Sequence, residues 1–467
     1  MADSDGNRSA GWYIDDVSIV KKVPEFSGDF ELGWNGWHAD NGIWEIGTPA
    51  YGPDTPVEGT RCAGTILNDR YPYYTDSRLV SPAVFLDDIV GDEELHLQFW
   101  HWFSYSWGDY AQVQISVYDN TSGWSAWENI SNSIGTFASQ VWSLKSIDIS
   151  QYAGQKVRFA FLHMADHDGN RSAGWYIDDV SIVKKVPKFS GDFELGWNGW
   201  HADNGIWEIG TPAYGPGSPV EGSLCAGTVL NSEYPYYTDS RLINSPIKLT
   251  DCTYTIIYLK FQEWFSYSDD HGEVQISVKD PDTDEWSTWV TLSQSSGSSP
   301  AWTTKYVDLS SYAGTIFRIG FLHITNQANQ GSGWYIDNIE LVGPEQIMPK
   351  IDNIIFAAYI PDQCDTSLID VFASEPCDGD LTYIWQLSDG GTLQGEGASV
   401  EFVPSETRIE PYHVRVAAVS QDTFLSSHTR TLKIFTQVLY DANDDGDITE
   451  ETISRFAEEF GLIACDR

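Results

Sequence analysis

The chain has 467 residues, of which 68 are Asp or Glu and 26 are Lys or Arg, a formal charge of −42. A chain this acidic repels phosphate backbones, which excludes nucleic acid as a partner class. The 41% hydrophobic residues, with 20 Trp, 24 Tyr and 21 Phe, exclude global disorder. No run approaches the ~18 apolar residues of a membrane span, and six Cys in such a length make no disulfide-dense scaffold.

The first residues, MADSDGNRSAGWYIDDVSIVKKVPEFSGDFELGWNGWHADNGIWEIGTPAYGP, return almost letter for letter from Met164. In the second occurrence GWYIDDVSIV closes one unit and FSGDFE opens the next. Residues 1–22 are therefore expected to be the orphan terminal strand of a preceding unit, loose or added to a sheet edge. Met1 then reads as an internal methionine of a longer protein.

Two full units follow, at 25–183 and 188–342, with landmarks in the same order. WEIGTPAYGP starts at 44 and 207, YPYYTDSRL at 71 and 234, WFSYS at 102 and 264, VQISV at 113 and 274, and GWYID at 174 and 333. At about 155 residues each, the units are domain-sized, not solenoid repeats. Within them Ala111, Val113, Ile115 and Val117 alternate with polar residues, as do Val157, Phe159 and Phe161. Such period-two runs between Gly, Pro, Asn and Asp clusters predict many short strands. The expected fold class is all-β: two antiparallel jelly-roll sandwiches in tandem.

The order FE, W-x-x-G-x-P, Y-x-x-x-D-S-x-L-x-S-P, V-x-I-S, Asp-Leu-Ser-x-Tyr-Ala-Gly and GWYIDDV resembles the MAM-like jelly rolls of secreted bacterial proteins, including those trailing immune inhibitor A-type metallopeptidases. The resemblance implies fold, a secreted or cell-surface location and a cation near the closing strand. It leaves function open, because such modules decorate proteins of many kinds.

GPEQIMP reads as a linker. Residues 350–437 resemble a PKD-like or immunoglobulin-like module, with Trp385 as its expected core aromatic and Cys364 and Cys377 placed to bridge. Cys62 and Cys225, matched between the units, are expected as small buried core residues. Residues 438–467 form an EF-hand-like, dockerin-like tail. In DANDDGDITEET the spacing matches a calcium loop, with Asp441, Asn443 and Asp445 as oxygen ligands, Asp447 supplying a carbonyl, and a carbonyl from Thr449 or a water completing the shell. A short amphipathic helix carrying Ile453, Phe456 and Phe460 should follow. Thr452 stands where the loop wants an acid and a second repeat is missing, so cohesin binding is not implied.

In GWYIDDVSI, strict alternation puts Tyr176, Asp178, Val180 and Ile182 on one face, and in the second copy Tyr335, Asp337, Ile339 and Leu341. That face is apolar, so Asp178 and Asp337 are expected to face the core. The same parity aligns Asp109 with Val113, and Asp270 with Val274. If first and last strands adjoin, Glu31 comes near Asp178 and Glu194 near Asp337. Three acids in such a place suit Ca²⁺. The alternative is a buried, hydrogen-bonded Asp. Metal ligands must be deprotonated, so the calcium reading predicts weakening as pH falls.

No His-Glu-x-x-His, G-x-S-x-G or phosphate loop occurs, and no catalytic residue is assigned. His163 and His323 stand alone at strand ends and read as structural. Trp34, Trp37 and Trp44, with Trp197, Trp200 and Trp207, read as core filling or as platforms for sugar rings. Trp100, aligned with Gln262, suits an exposed position. The chain is thus expected to be a non-catalytic, calcium-stabilised part of a modular protein acting in binding, adhesion or spacing, with an extracellular glycan or protein ligand. The alternatives are carbohydrate-binding modules and the accessory tail of a metallopeptidase.

Overall fold

The alternating segments pair as antiparallel strands in a computed structural model that describes residues 26–436, apart from short stretches at 92, 136–137, 186–188, 250–255, 327–328, 344–346, 359–365, 376–379, 388–389, 407 and 409. The orphan strand at 1–22, the Cys364–Cys377 pairing and the calcium loop with its helix lie outside the described residues. No helix among the described residues is long and apolar enough to cross a membrane.

The first sandwich has two sheets. One orders His38–Ala39, Thr75–Val80, Lys156–Ala165, Tyr110–Asp119 and Gly123–Trp124, with Val84–Phe85 and Glu128–Asn129 added at its sides. The other orders Ser143–Asp148, Glu94–Ser104, Gly174–Lys185, Cys62–Thr65 and Trp44–Gly47. The inward residues of both sheets form one core. Phe161 lies at its centre with its ring centroid 5.0 Å from Phe99, 5.4 Å from Trp175 and 6.0 Å from Trp37. The second sandwich repeats this packing around Phe321, Phe261, Trp334 and Trp200. There a single strand, Tyr258–Val278, runs through both layers. In the first copy the Trp107–Gly108 pair, which stands where the second has Asp269, interrupts the corresponding segment into Glu94–Ser104 and Tyr110–Asp119.

The closing strand corrects the parity expected from strict alternation. Asp178 pairs with Trp100 and Ser181 with Gln98, so one extra residue bulges out between them. Asp179 takes a left-handed φ of 47° and its counterpart Asn338 one of 49°, a conformation that Asp and Asn tolerate better than most residues. Such a bulge shifts the side-chain alternation by one. Trp175, Ile177 and Val180 consequently face the main core, as do Trp334, Ile336, Ile339 and Leu341. Tyr176 and Tyr335 sit on the opposite face, in satellite clusters with Cys62 and Trp102 and with Cys225 and Trp264. Asp178 and Asp337 share that outer face, not the core. Cys62 and Cys225 are fully buried free thiols, as expected.

The expected adjacency of first and last strands is present. Val180 N–H donates to Gly28 O at 3.1 Å and Ile339 N–H to Gly191 O at 2.8 Å. Both positions need glycine, because a Cβ on Gly28 would come within 2.3 Å of Val180 Cβ, and one on Gly191 within 2.0 Å of Ile339 O.

The third module has sheets ordered Lys350–Ile355, Ser367–Ser374, Ser399–Val403, Thr392–Gln394 and Leu381–Leu387, Tyr412–Ser420, Arg430–Ile434. Its buried core is Ile369, Val400, Phe402, Tyr412, Val414, Leu432 and Ile434. Trp385 is half-buried at the edge of that core, its indole N–H on Gly397 O at 3.0 Å.

Truncating Phe161 to Ala should remove about 3–5 kcal/mol from the first sandwich, because the surrounding rings can close the void only in part. Urea unfolding followed by tryptophan fluorescence measures the loss. A change below about 1 kcal/mol would show that the ring packing does not hold the two sheets together.

Candidate ligand-binding site

The acids singled out in the sequence fall into separate environments. Asp178 Oδ2 accepts the Val57 N–H at 3.1 Å and Oδ1 accepts the Asp179 N–H at 3.0 Å. Asp337 does the same with Val220 and Asn338, at 3.0 and 2.8 Å. Each thereby pins the loop that precedes the Cys62–Thr65 or Cys225–Thr228 strand. Glu31 Oε1 accepts the Thr60 and Arg61 N–H groups at 2.8 and 2.7 Å, and Oε2 the Thr60 hydroxyl at 2.9 Å. Glu194 repeats this on Ser223 and Leu224. Those backbone bonds hold Glu31 below the usual carboxylate range.

Asp109 and Asp270 belong to another part of the fold. Asp109 Oδ2 accepts the Tyr71 hydroxyl at 2.6 Å and Oδ1 the Asp166 N–H at 2.7 Å. Asp270 takes the Tyr234 hydroxyl at 2.9 Å and the Asn326 N–H at 2.8 Å. The expected trio Glu31, Asp109 and Asp178 is therefore not one ligand set. The group of three ligand atoms within 4.8 Å of one another among the described residues is Glu94, His96 and Asp148 instead. A hard cation needs six to eight oxygens, whereas these carboxylates already serve N–H and O–H donors that the cation would have to displace.

The tryptophans sort as cleanly. Trp37, Trp44, Trp200 and Trp207 are core residues, whereas Trp34 is exposed. Trp197 packs edge-on against Trp100 at 5.9 Å, where the two sandwiches meet. Trp100 is thus an inter-sandwich contact, which corrects its reading as an exposed platform. Ser143 Oγ and Lys145 Nζ donate to Trp207 O and Asp203 O across the same junction. On the outer sheet face Arg158 lies over Trp124 and Trp127 at 4.5 and 4.7 Å. Arg318 does so over Trp286 and Trp289 at 4.4 and 4.9 Å. These aromatics are engaged in cation–π pairs.

What the sequence reading missed is a cleft of about 450 Å³ at one loop end of the first sandwich, lined by Tyr74, Asp76, Gly108, Tyr110, Asp166 and His167 among others. Tyr74 is 80% exposed, and Trp107, next to Gly108 on the rim, is 72% exposed. Tyr73 donates to Gly169 O at 2.9 Å, and Arg171 lies 4.6 Å over its ring. Beneath the cleft is a buried network. Tyr71 also accepts the Ser106 N–H at 3.0 Å, and His163 bonds Tyr105 at 2.9 Å and Thr75 at 3.0 Å. Burial pushes the His163 imidazole down to about 3, so it is neutral. Asp109, through Tyr71 and Asp166, fixes two of the loops that shape the cleft.

The signal that could have found it is a difference between the copies. The second sandwich keeps Tyr236 and Tyr237 but has Asp269 for Trp107–Gly108, Asn326 for Asp166 and Gln330 for Arg171. The polar and aromatic furniture is concentrated on the first.

No family model matches the chain, and no curated protein is similar to it. Among solved structures it is similar to the tandem CBM22 modules of Paenibacillus barcinonensis Xyn10C, at 15% identity over 70% of this chain and 99% of that one, with a TM-score of 0.24. A carbohydrate-binding module of the β-sandwich superfamily aligns at 12% identity over 56% and 97% of the two chains, with a TM-score of 0.24. The Streptococcus pneumoniae Endo-D glycoside hydrolase domain aligns at 14% over 52% and 38%, with a TM-score of 0.25. Likeness of this degree carries no functional conclusion.

Two predictions follow from the acids. Replacing Asp109 by Ala strands the buried Tyr71 hydroxyl and should cost about 1–3 kcal/mol. Thermal unfolding reads this, and an unchanged melting temperature would show that the network is not a structural element. Burial, aided by the Asp179 charge, pushes Asp178 up to about 7, and burial does the same to Asp337. Unfolded carboxyls titrate near 4, so between about 4 and 7 the folded state holds more protons than the unfolded one. Stability from these acids therefore falls as pH rises through that window, the reverse of the trend that metal ligation predicts. The buried histidines His101, His163 and His323, with half-buried His201, are held neutral by desolvation and act oppositely below about 6.5. The acids are isolated as the difference between wild type and the Asp178→Asn/Asp337→Asn double variant in chelator-treated buffer. The wild type should gain melting temperature relative to the variant as pH drops from 8 to 5. Equal slopes would refute the assignment.

Proposed function

We propose that the chain is a non-catalytic glycan-binding protein, secreted or cell-surface, whose binding site is the loop-end cleft of the first sandwich. The observation that carries this reading is the exposure of Tyr74 in a cleft that also presents Asp76, Asp166 and His167, with exposed Trp107 adjoining the lining residue Gly108. A pyranose has an apolar C–H face and a belt of hydroxyls. Flat aromatic faces suit the first, and carboxylates with an imidazole suit the second. Tyr74 and Trp107 are far more exposed than Trp34, and Trp37, Trp44, Trp100, Trp124, Trp127, Trp197, Trp200, Trp207, Trp286 and Trp289 are core, inter-sandwich or cation–π residues. The cleft is held open by rigid elements: the Asp109–Tyr71–Asp166 bonds and the neutral His163 network set its loops before any ligand arrives. Preorganisation of this kind lowers the ordering cost of binding. The adhesive or spacing role expected of tandem sandwiches is compatible with such a site.

Affinity electrophoresis of the full chain through gels containing xylan, mixed-linkage glucan, mannan or hyaluronan tests the reading. At least one polymer should retard the protein. Tyr74→Ala and Trp107→Ala should each weaken binding about tenfold, the loss of one stacking face. Retardation by none of the four, or equal retardation of both variants and wild type, would overturn the proposal.

A further inference from the structure

The second sandwich shows what a different surface of this fold can hold. Along its closing strand, residues 423–429 of the third module lie in a groove. Phe189 N–H donates to Phe424 O at 2.7 Å, Ser426 N–H to Phe189 O at 2.8 Å and Lys248 N–H to Thr423 O at 3.1 Å. Phe189 and Leu425 thus pair as a short parallel bridge, and Leu425 is fully buried in the sandwich's own core cluster. Charge completes the contact. Thr429 N–H donates to Asp192, Arg415 lies 3.8 Å from Glu194, and His428 Nε2 lies 2.8 Å from Glu340 Oε1.

The first sandwich carries the same groove, uncovered by any of the described residues. It measures about 550 Å³ and is lined by Phe26, Val84, Phe85, Asp179, Val180 and Ile182 among others. By the repeat these are the counterparts of Phe189, Ile247, Lys248, Asn338, Ile339 and Leu341. Phe85 is 71% exposed. Asp29 and Glu31 stand where Asp192 and Glu194 meet the third module, and Asp179 adds a charge that Asn338 lacks. The fields of Glu58, Asp29 and Glu31 all bear on Asp179.

We propose that this groove is a docking site for an extended segment of a separate protein, which adds as a parallel strand beside Phe26, buries one aliphatic anchor as Leu425 does, and presents a cationic side chain to Glu31 and Asp29. Strand addition supplies affinity through main-chain bonds, and the anchor and cation supply selectivity. The argument for this occupant is the internal copy: the same groove, built from matched residues, already receives such a segment, with the cation at Glu194 supplied by Arg415 of the adjoining strand Tyr412–Ser420. The acids Asp29, Glu31 and Asp179 along the groove favour a basic partner, as Asp192, Glu194 and Glu340 do in the second copy. The site is distinct from the glycan cleft.

The test uses the full chain and a fluorescein-labelled peptide with the sequence of residues 421–430, QDTFLSSHTR, followed by anisotropy. Saturable binding is expected, about tenfold weaker in Phe85→Asp and weaker also in Ser181→Arg, both exposed positions along the groove. Ser181→Glu should tighten it, because Ser181 stands where Glu340 meets His428. A scrambled peptide should not bind. Absence of binding at millimolar peptide, or binding indifferent to all three substitutions, overturns the proposal. Self-association of the chain that Phe85→Asp abolishes would make a second copy the occupant and overturn the assignment to a separate partner.

Discussion

One bulged residue on the closing strand of each sandwich organises much of what surrounds it. Asp179 and Asn338 adopt left-handed backbone, and that single insertion lets Ile177 and Val180, or Ile336 and Ile339, face the same core although three positions apart. The neighbouring acid is then turned outward. Its two oxygens bond the bulge's own N–H and the N–H of Val57 or Val220. The carboxylate thereby fastens the preceding loop to the sheet, and that loop in turn presents the amides that Glu31 and Glu194 accept. The first strand can close on the bulge only because Gly28 and Gly191 carry no Cβ. Buried acid, bulge, loop and glycine form one interlocked corner, at the cost of a carboxyl whose charged form is disfavoured by burial.

Much of this was legible in the sequence. Alternation along Ala111–Val117 and Val157–Phe161 identified strands and their inward residues, and the repeat identified matched landmarks. The corner was misread because strict alternation assumes an unbroken ladder. A bulge leaves no mark in hydropathy, since GWYIDDVSI alternates acceptably in either parity. The useful signal was the Asp-Asp and Asp-Asn pairs, residue types that tolerate positive φ, in the middle of a β-branched run. Asp109 lies just before the strand Tyr110–Asp119, not within it. Its partners Tyr71 and Asp166 are 38 and 57 residues away, and single-sequence spacing cannot join them.

Surface roles were harder to read for a further reason. Trp100 was distinctive in sequence because Gln262 replaces it, but a difference between repeats can mark an inter-sandwich contact as readily as a ligand. Only its neighbour Trp197 decides the matter. The same kind of difference at Trp107–Gly108 against Asp269 marks the cleft rim. In both cases the sequence shows where the copies diverge, and three-dimensional neighbours show what each divergence faces.

Near-identical repeats separate fold requirements from surface requirements within one molecule. Residues that match and are buried in both copies, such as Phe161 and Phe321 or Asp178 and Asp337, answer to folding. Residues that match but differ in surroundings, such as Phe26 and Phe189, show a surface covered in one copy and, among the described residues, left open in the other. The third module fills its groove by extending the second sandwich's hydrogen bonding and core together, for Leu425 completes an apolar cluster that Phe189 begins. In the first sandwich Phe26 packs at 5.9 Å on Trp37 and 6.2 Å on Phe159, yet is only half-buried. Because covering apolar surface stabilises in proportion to the area removed from water, the uncovered copy retains a driving force for association that the covered copy has already spent.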